Sequence, residues 1–290
     1  MEQKAYAKIN LYLDVTAKRE NGYHDILSIM QAVDLYDTVS VHCFEQSPAE
    51  IVLRCDWDLP CDSRNLAFRA AEAYFAGNVP CRIEIDVQKR IPIQAGLAGG
   101  SADCAAVLRA LNARYHTYSE SELLALGARL GADVPFCLAG GTCITCGIGE
   151  ILQPCAAMPE CFLVIARGGE GISTPWAYGA LDAKYGDFAA RECESALRLA
   201  KLTTAMQQEN LEAMASAMYN IFESVVLPEH EVARGLKAHM LAGGAVGAMM
   251  SGSGPSVVGL FTDETTAQCV REEIAAQGIA AFVCRPIQSN

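Results

Sequence analysis

The sequence predicts an α+β protein of two domains, and three observations carry that expectation. Apolar residues alternate with polar ones at strand spacing in segments such as AYAKINLYLDV (5–15) and CRIEIDVQK (81–89). Helical spacing with a glycine stop appears in SRNLAFRAAEAYFAG (63–77). Strands and helices are mixed without strict βαβ alternation, which favours α+β over a doubly wound sheet. LQPCAAMPE (152–160), with its two prolines, suggests a boundary between a domain 1–156 and a domain 157–290.

In chain order, 5–15 reads as a half-buried strand with Ala5, Ala7, Ile9, Leu11 and Leu13 on the apolar face. KRENGYH (18–24) is a turn by its Asn-Gly pair, and DTVSVHC (37–43) is a further strand. A helix over 63–77 leads into the strand 81–89 and then into a glycine-rich loop opening an alanine- and leucine-rich helix, IPIQAGLAGGSADCAAVLRALN (91–112). SESELLALGARLG (119–131) carries a capping-box pattern, Ser119 with Glu122, and ADVPFCLAGG (132–141) turns. The second half reads as the strand CFLVIA (161–166), helical stretches near 189–224 and 229–242, and the strand pair VGAMMS and SVVGLF flanking GSGP. A helix near 264–277 and a strand at 280–284 close it.

Composition narrows function. With 290 residues, 51% of them hydrophobic and 19% charged, the chain can build large cores. Its formal net charge of −12 argues against a nucleic-acid partner, because phosphate-tracking surfaces need excess lysine and arginine. No apolar run long enough to span a membrane appears and the start does not read as a signal peptide, so no membrane partner and a cytoplasmic location are expected. The 13 cysteines are odd in number and scattered through apolar segments, which suits reduced thiols. Cys143 and Cys146 form one CxxC without a second ligand pair, so zinc is not expected.

Three motifs then ask for one explanation: Lys8 and Asn10 on a strand face, the loop with Gly96, Gly99, Gly100 and Ser101, and MSGSGPS (250–256). A glycine-rich turn opening a helix gathers unpaired backbone N–H groups at the positive end of the helix dipole, which suits phosphate. The stretch lacks both the Lys-Ser/Thr ending of a P-loop and dinucleotide-fold glycine spacing. Singly, each motif is also an ordinary turn, strand lysine or cap. In combination, PIQAGLAGGSAD, the AKIN strand, GYH, LGADVPF and the C-terminal glycine motif resemble the galactokinase, homoserine kinase, mevalonate kinase and phosphomevalonate kinase superfamily.

That resemblance runs from Ala5 to Phe261, and AKIN, GYH and LGADVPF are similar to the branch whose small-molecule acceptor is a cytidyl alcohol of the non-mevalonate isoprenoid route. It implies an S5-like N-terminal domain, a ferredoxin-like C-terminal domain and an active site in the cleft between them. It implies phosphorylation of the acceptor's 2-hydroxyl by ATP with Mg2+, and Lys8 and Asp133 as the catalytic pair. Asn65, Leu66, Lys89 and Pro92, with the loop residues Gly96, Leu97, Gly99, Gly100 and Ser101, would take the ATP; Asn10, Tyr23, His24, Thr174 and Tyr178 would take the acceptor. The motifs shared by the superfamily do not choose the acceptor, so a homoserine- or mevalonate-type kinase is the neighbouring alternative; a non-catalytic nucleotide sensor would need neither Lys8 nor Asp133. The chain departs from the superfamily's loop in Ala102, where a second serine is usual, and in Asp103, where asparagine is common. Asp103 is expected in the first turn of the helix, favouring its dipole and helping to hold magnesium, or pointing to solvent.

Overall fold

The computed structural model describes residues 1–188 and 191–288. Two long strands open the chain, β1 (Glu2–Lys18) and β2 (His24–Phe44), joined by a turn in which Gly22 takes a left-handed φ of 85°. β1 is not half-buried as its alternation suggests: Ala7 to Val15 is buried throughout. The polar face stays inside because its groups find partners, Lys8 with Asn10 and Tyr12 with Ser195.

The chain divides into two compact units interleaved in sequence. One comprises Met1–Ala7, Leu35–Ile93 and Ala98–Ala139. In it the second half of β2 pairs antiparallel with β4 (Arg82–Gln88), which pairs parallel with β3 (Glu50–Cys55). Four helices belong to this unit: α1 (Leu66–Tyr74), α2 (Gly99–Tyr115), α3 (Glu120–Leu130) and α4 (Val134–Ala139). The small residues Ala67, Ala70 and Ala71 of α1 and Ala102, Ala105 and Ala106 of α2 are buried. The capping box read from the sequence is formed, Ser119 N donating to Glu122 Oε2 at 2.8 Å. The stretch expected to turn after α3 instead makes the short helix α4.

A buried charge cluster ties three elements of this unit together. Lys89 Nζ donates to Asp37 Oδ2 and, at 2.7 Å, to Asp103 Oδ2, while Asp37 Oδ1 accepts the backbone N–H groups of Arg90 and Ile91. β2, the exit of β4 and α2 are thereby fixed to one another. Asp103 thus lies beyond the first turn of α2 and does not point to solvent; it is 5% exposed and one of its oxygens takes Lys89.

The other unit comprises Lys8–Asp34, Gln94–Leu97 and Gly140–Asn290. In it β2 pairs with β5 (Thr142–Cys146), β5 with β6 (Ile151–Pro154), and β1 with the two-residue β8 (Tyr219–Asn220). A four-stranded antiparallel sheet of β7 (Phe162–Arg167), β9 (Gly247–Met250), β10 (Ser256–Phe261) and β11 (Ala281–Cys284) runs in the order β11-β7-β10-β9. With α9 (Glu231–Ala242) between β7 and β9 and α10 (Glu264–Ala275) between β10 and β11, this is the ferredoxin-like order. Val164, Leu236, Met240, Phe261, Val270 and Ile274 form the core under it. The helical stretch expected near 189–224 is broken into α6 (Glu192–Gln207), α7 (Leu211–Ala217), β8 and α8 (Glu223–Val226); its residues 189 and 190 lie outside the described residues. An unanticipated helix, α5 (Thr174–Tyr185), is capped by Ser173. No helix among the described residues is long and apolar enough to cross a membrane.

The charge cluster has a pH signature. Burial raises the pKa of the Asp103 carboxyl, the Lys89 ammonium pulls it down, Asp37 adds to the rise, and the net direction is up. A carboxyl with a raised folded pKa binds more protons in the native state, so its contribution is present at low pH and is lost as pH rises from the ordinary carboxylate range towards the raised value. Urea unfolding of the parent and of Asp103→Asn between about pH 4 and about pH 8 should show the parent losing stability relative to the variant as pH rises. A difference that does not change with pH would contradict this assignment.

Candidate active site

Within the second unit the AKIN strand and the 250–256 turn meet at Asn10, which is 2% exposed. Its Oδ1 accepts from Lys8 Nζ at 2.8 Å and from Gly252 N at 3.0 Å, and its Nδ2 donates to Ser28 Oγ at 2.8 Å. Ser28 Oγ donates onward to the Tyr12 carbonyl. Lys8 N donates to Leu97 O at 3.1 Å, and Ser251 Oγ to Gly96 O at 3.1 Å. Gly96 has a φ of 75°, and a Cβ there would come within 2.2 Å of the Ser251 carbonyl oxygen, so this close approach demands glycine. The side chain of Asn10 is therefore engaged mainly in holding Lys8 and the 250–256 turn. Ser28, which no motif singled out, completes that arrangement.

The loop passes into the first unit at Ala98, a left-handed residue with φ 57° that begins α2 without a side-chain cap. The opening N–H groups of α2 are thus left without a side-chain acceptor, the arrangement an anion needs. A Cβ on Gly100, which is exposed, would meet only Leu66 Cδ1 at 3.8 Å. One on Gly99 would press within 3.1 Å of Ile91 Cγ2 and 3.3 Å of Lys89 Nζ, so Gly99 serves packing as well as access. Asn65 caps α1, accepting from Ala67 N and donating to Pro60 O, each at 2.9 Å. The Lys89 ammonium is held by its two carboxylates. Pro92 is buried. Asp133 is half-buried between α3 and α4 and accepts Cys137 N at its carbonyl. Its segment lies beside the loop, since a Cβ on Gly131 would be 3.8 Å from Ser101 Oγ. Lys8 belongs to the second unit and Asp133 to the first.

On the acceptor side of the motif set, all residues belong to the second unit. His24 is 6% exposed and its ring stacks on Tyr178, centroids 4.6 Å apart at 21°. Tyr178 also meets Phe222 edge-on at 4.9 Å and packs against the core cluster of Leu13, Ile26 and Phe222, so it is not an open platform: His24 covers one face. Tyr23, by contrast, is 60% exposed. Thr174 Oγ1 lies 3.0 Å from Ser253 Oγ, linking the start of α5 to the glycine motif. Asp182, absent from the motif reading, bonds His24 Nε2 at 2.7 Å and Lys18 Nζ at 2.6 Å.

Among the described residues no group of three or more His, Cys, Asp or Glu is arranged to hold a metal ion. Asp103, the one added carboxylate near the loop, is engaged with Lys89.

Comparison with known proteins agrees with this architecture. Residues 65–141 match the GHMP kinases N terminal domain and residues 202–280 the GHMP kinases C terminal domain. A 4-diphosphocytidyl-2-C-methyl-D-erythritol kinase of Clostridium botulinum (strain Alaska E43 / Type E3) is 40% identical over 290 residues, covering 99% of this chain and 100% of the relative. That of Clostridium perfringens is 37% identical over 295 residues, covering 100% and 99%. A crystal structure of 4-(cytidine 5'-diphospho)-2C-methyl-D-erythritol kinase superposes with a TM-score of 0.81 at 31% identity over 99% of each chain. A homoserine kinase from Cytophaga hutchinsonii, at 20% identity and a TM-score of 0.70 over 99% of this chain and 96% of its own, shares the fold. At this identity and coverage the chain belongs to the GHMP kinases and, within them, to the family of 4-diphosphocytidyl-2-C-methyl-D-erythritol kinases.

Proposed function

We propose that the chain phosphorylates the 2-hydroxyl of 4-diphosphocytidyl-2-C-methyl-D-erythritol, a step of the non-mevalonate route to isoprenoid precursors. The observation that carries this reading is the full-length similarity, 40% identity over 99% of the chain, to a kinase named for that acceptor. As a GHMP kinase the chain uses ATP. A homoserine or mevalonate acceptor has less support, because the similarity to those kinases, at 20% and 15% identity, speaks for the fold alone.

Phosphoryl transfer asks the protein for positioning and charge stabilisation. In this reading the N–H groups at Gly99, Gly100 and Ser101 receive the ATP phosphates, with Gly96 and Leu97 shaping the approach, and Asn65, Leu66, Lys89 and Pro92 border the adenosine. Lys89 would contribute there through its stem and backbone, its ammonium being engaged by Asp37 and Asp103. Mg2+ carried on the phosphate oxygens would neutralise charge during transfer. Lys8, held by Asn10, stabilises charge on the transferring group, and Asp133 orients the acceptor hydroxyl and takes its proton. Tyr23 and Tyr178 border the cytosine, His24 reads its edge, and Asn10 and Thr174 act at the acceptor side chiefly by ordering the 250–256 turn.

Two outcomes follow. Gly100→Val should keep the fold, since Gly100 is exposed and a Cβ there would meet only Leu66 Cδ1 at the ordinary contact distance of 3.8 Å, yet obstruct phosphate approach and abolish ATP binding; unchanged affinity for ATP in the folded variant would remove the loop from the site. Asp133→Asn should lower kcat by on the order of 10² to 10⁴ with little change in ATP affinity, and the Lys8→Ala/Asp133→Asn double variant should be scarcely worse than the poorer single one. A loss carried by KM, or additive losses, would make Asp133 a binding residue independent of Lys8.

A further inference from the structure

One face of α5 holds His24 from two directions. Tyr178 and Asp182 stand four residues apart on this helix; the ring of the first stacks on the imidazole, and Oδ1 of the second lies 2.7 Å from Nε2. Phe188 meets the imidazole edge-on at 5.7 Å. The other oxygen of Asp182 takes Lys18 Nζ at 2.6 Å. Burial pushes the Asp182 carboxyl up, but the bonds from Lys18 and His24 outweigh it and hold the carboxyl below its ordinary range.

An ionised carboxylate only accepts, so a neutral imidazole facing it carries its proton on Nε2 and leaves a bare lone pair on Nδ1. Among the described residues no donor is directed at Nδ1, and Nδ1 is not one of the sealed atoms without a partner, so it keeps some contact with solvent. A bare acceptor matches the 4-amino group of cytosine, which donates, and opposes the 4-oxo group of uracil, which presents another lone pair.

We propose that Asp182 is a positioning residue that fixes the His24 tautomer and so makes the acceptor site select a 4-amino pyrimidine over a 4-oxo pyrimidine. The assignment rests on the reading that His24 meets the base of the acceptor. It adds a residue that no motif singled out, and it places the discrimination in one ring nitrogen.

Two measurements on the full chain test it. Nitrogen-15 NMR of the His24 ring should show the Nε2–H form in the parent and a mixture of tautomers in Asp182→Ala. The ratio of kcat/KM for the cytidyl acceptor to that for its uridyl counterpart should fall about tenfold in Asp182→Ala while KM for ATP stays within about twofold. Asp182→Asn, whose amide oxygen can still accept from Nε2, should recover part of that ratio, and it carries the test if Asp182→Ala fails to fold. A proton on Nδ1 in the parent, or an unchanged ratio in a folded variant, overturns the assignment. If the parent is active on the cytidyl acceptor, either result removes Asp182 alone; if the parent ignores that acceptor, the functional reading falls and this assignment falls with it.

Discussion

The buried carboxamide of Asn10 is the constraint on which the arrangement of motifs depends. An amide in an apolar interior must satisfy its oxygen and its N–H groups or destabilise the fold. Here the oxygen is satisfied by Lys8 and by the backbone of Gly252, and the nitrogen by Ser28. Because those partners come from β1, from β2 and from the turn between β9 and β10, one side chain ties three distant stretches of sequence together. The lysine held this way cannot wander as a surface lysine does, which suits the role proposed for it beside a transferring phosphoryl group.

A second constraint works in the other unit. Two carboxyl groups share one ammonium out of water, and removing Lys89 would leave both without their cation. Because Lys89 leaves β4 and Asp103 lies on α2, the cluster fixes where the loop ends and the helix begins. The loop's glycines then divide the labour. Gly96 permits contact with Ser251, Gly99 permits packing on Ile91 and Lys89, and Gly100 keeps a side chain away from the helix start.

Elements whose signals are local were legible in the sequence. The helix over 63–77 and the capping box at Ser119 rest on cap chemistry and on 3.6-residue spacing; the strand pair around GSGP rests on apolar runs broken by glycines. β2 was read only over 37–43, because its earlier residues are buried on both faces and lose alternation. β8, two residues long, exists through pairing with β1 and carries no pattern of its own. In the site, Lys8, Asn10 and the glycine loop were visible as motifs, but Asn10's role between Lys8 and Gly252 is a tertiary fact. The same is true of Tyr178, one face of which His24 covers, and of Asp103, whose partner lies 14 residues upstream. Ser28 and Asp182 act only through what they touch, so residue type and spacing could not mark them.

Whether this fold carries a kinase for a cytidyl alcohol is decided by incubating the purified protein with ATP and a panel of acceptors. The panel comprises 4-diphosphocytidyl-2-C-methyl-D-erythritol, homoserine and mevalonate, with phosphorylated product and ADP measured together. Stoichiometric product and ADP are expected with the cytidyl acceptor and neither above background with the other two. Equal phosphorylation of homoserine or mevalonate, or no transfer to the cytidyl acceptor, would contradict it.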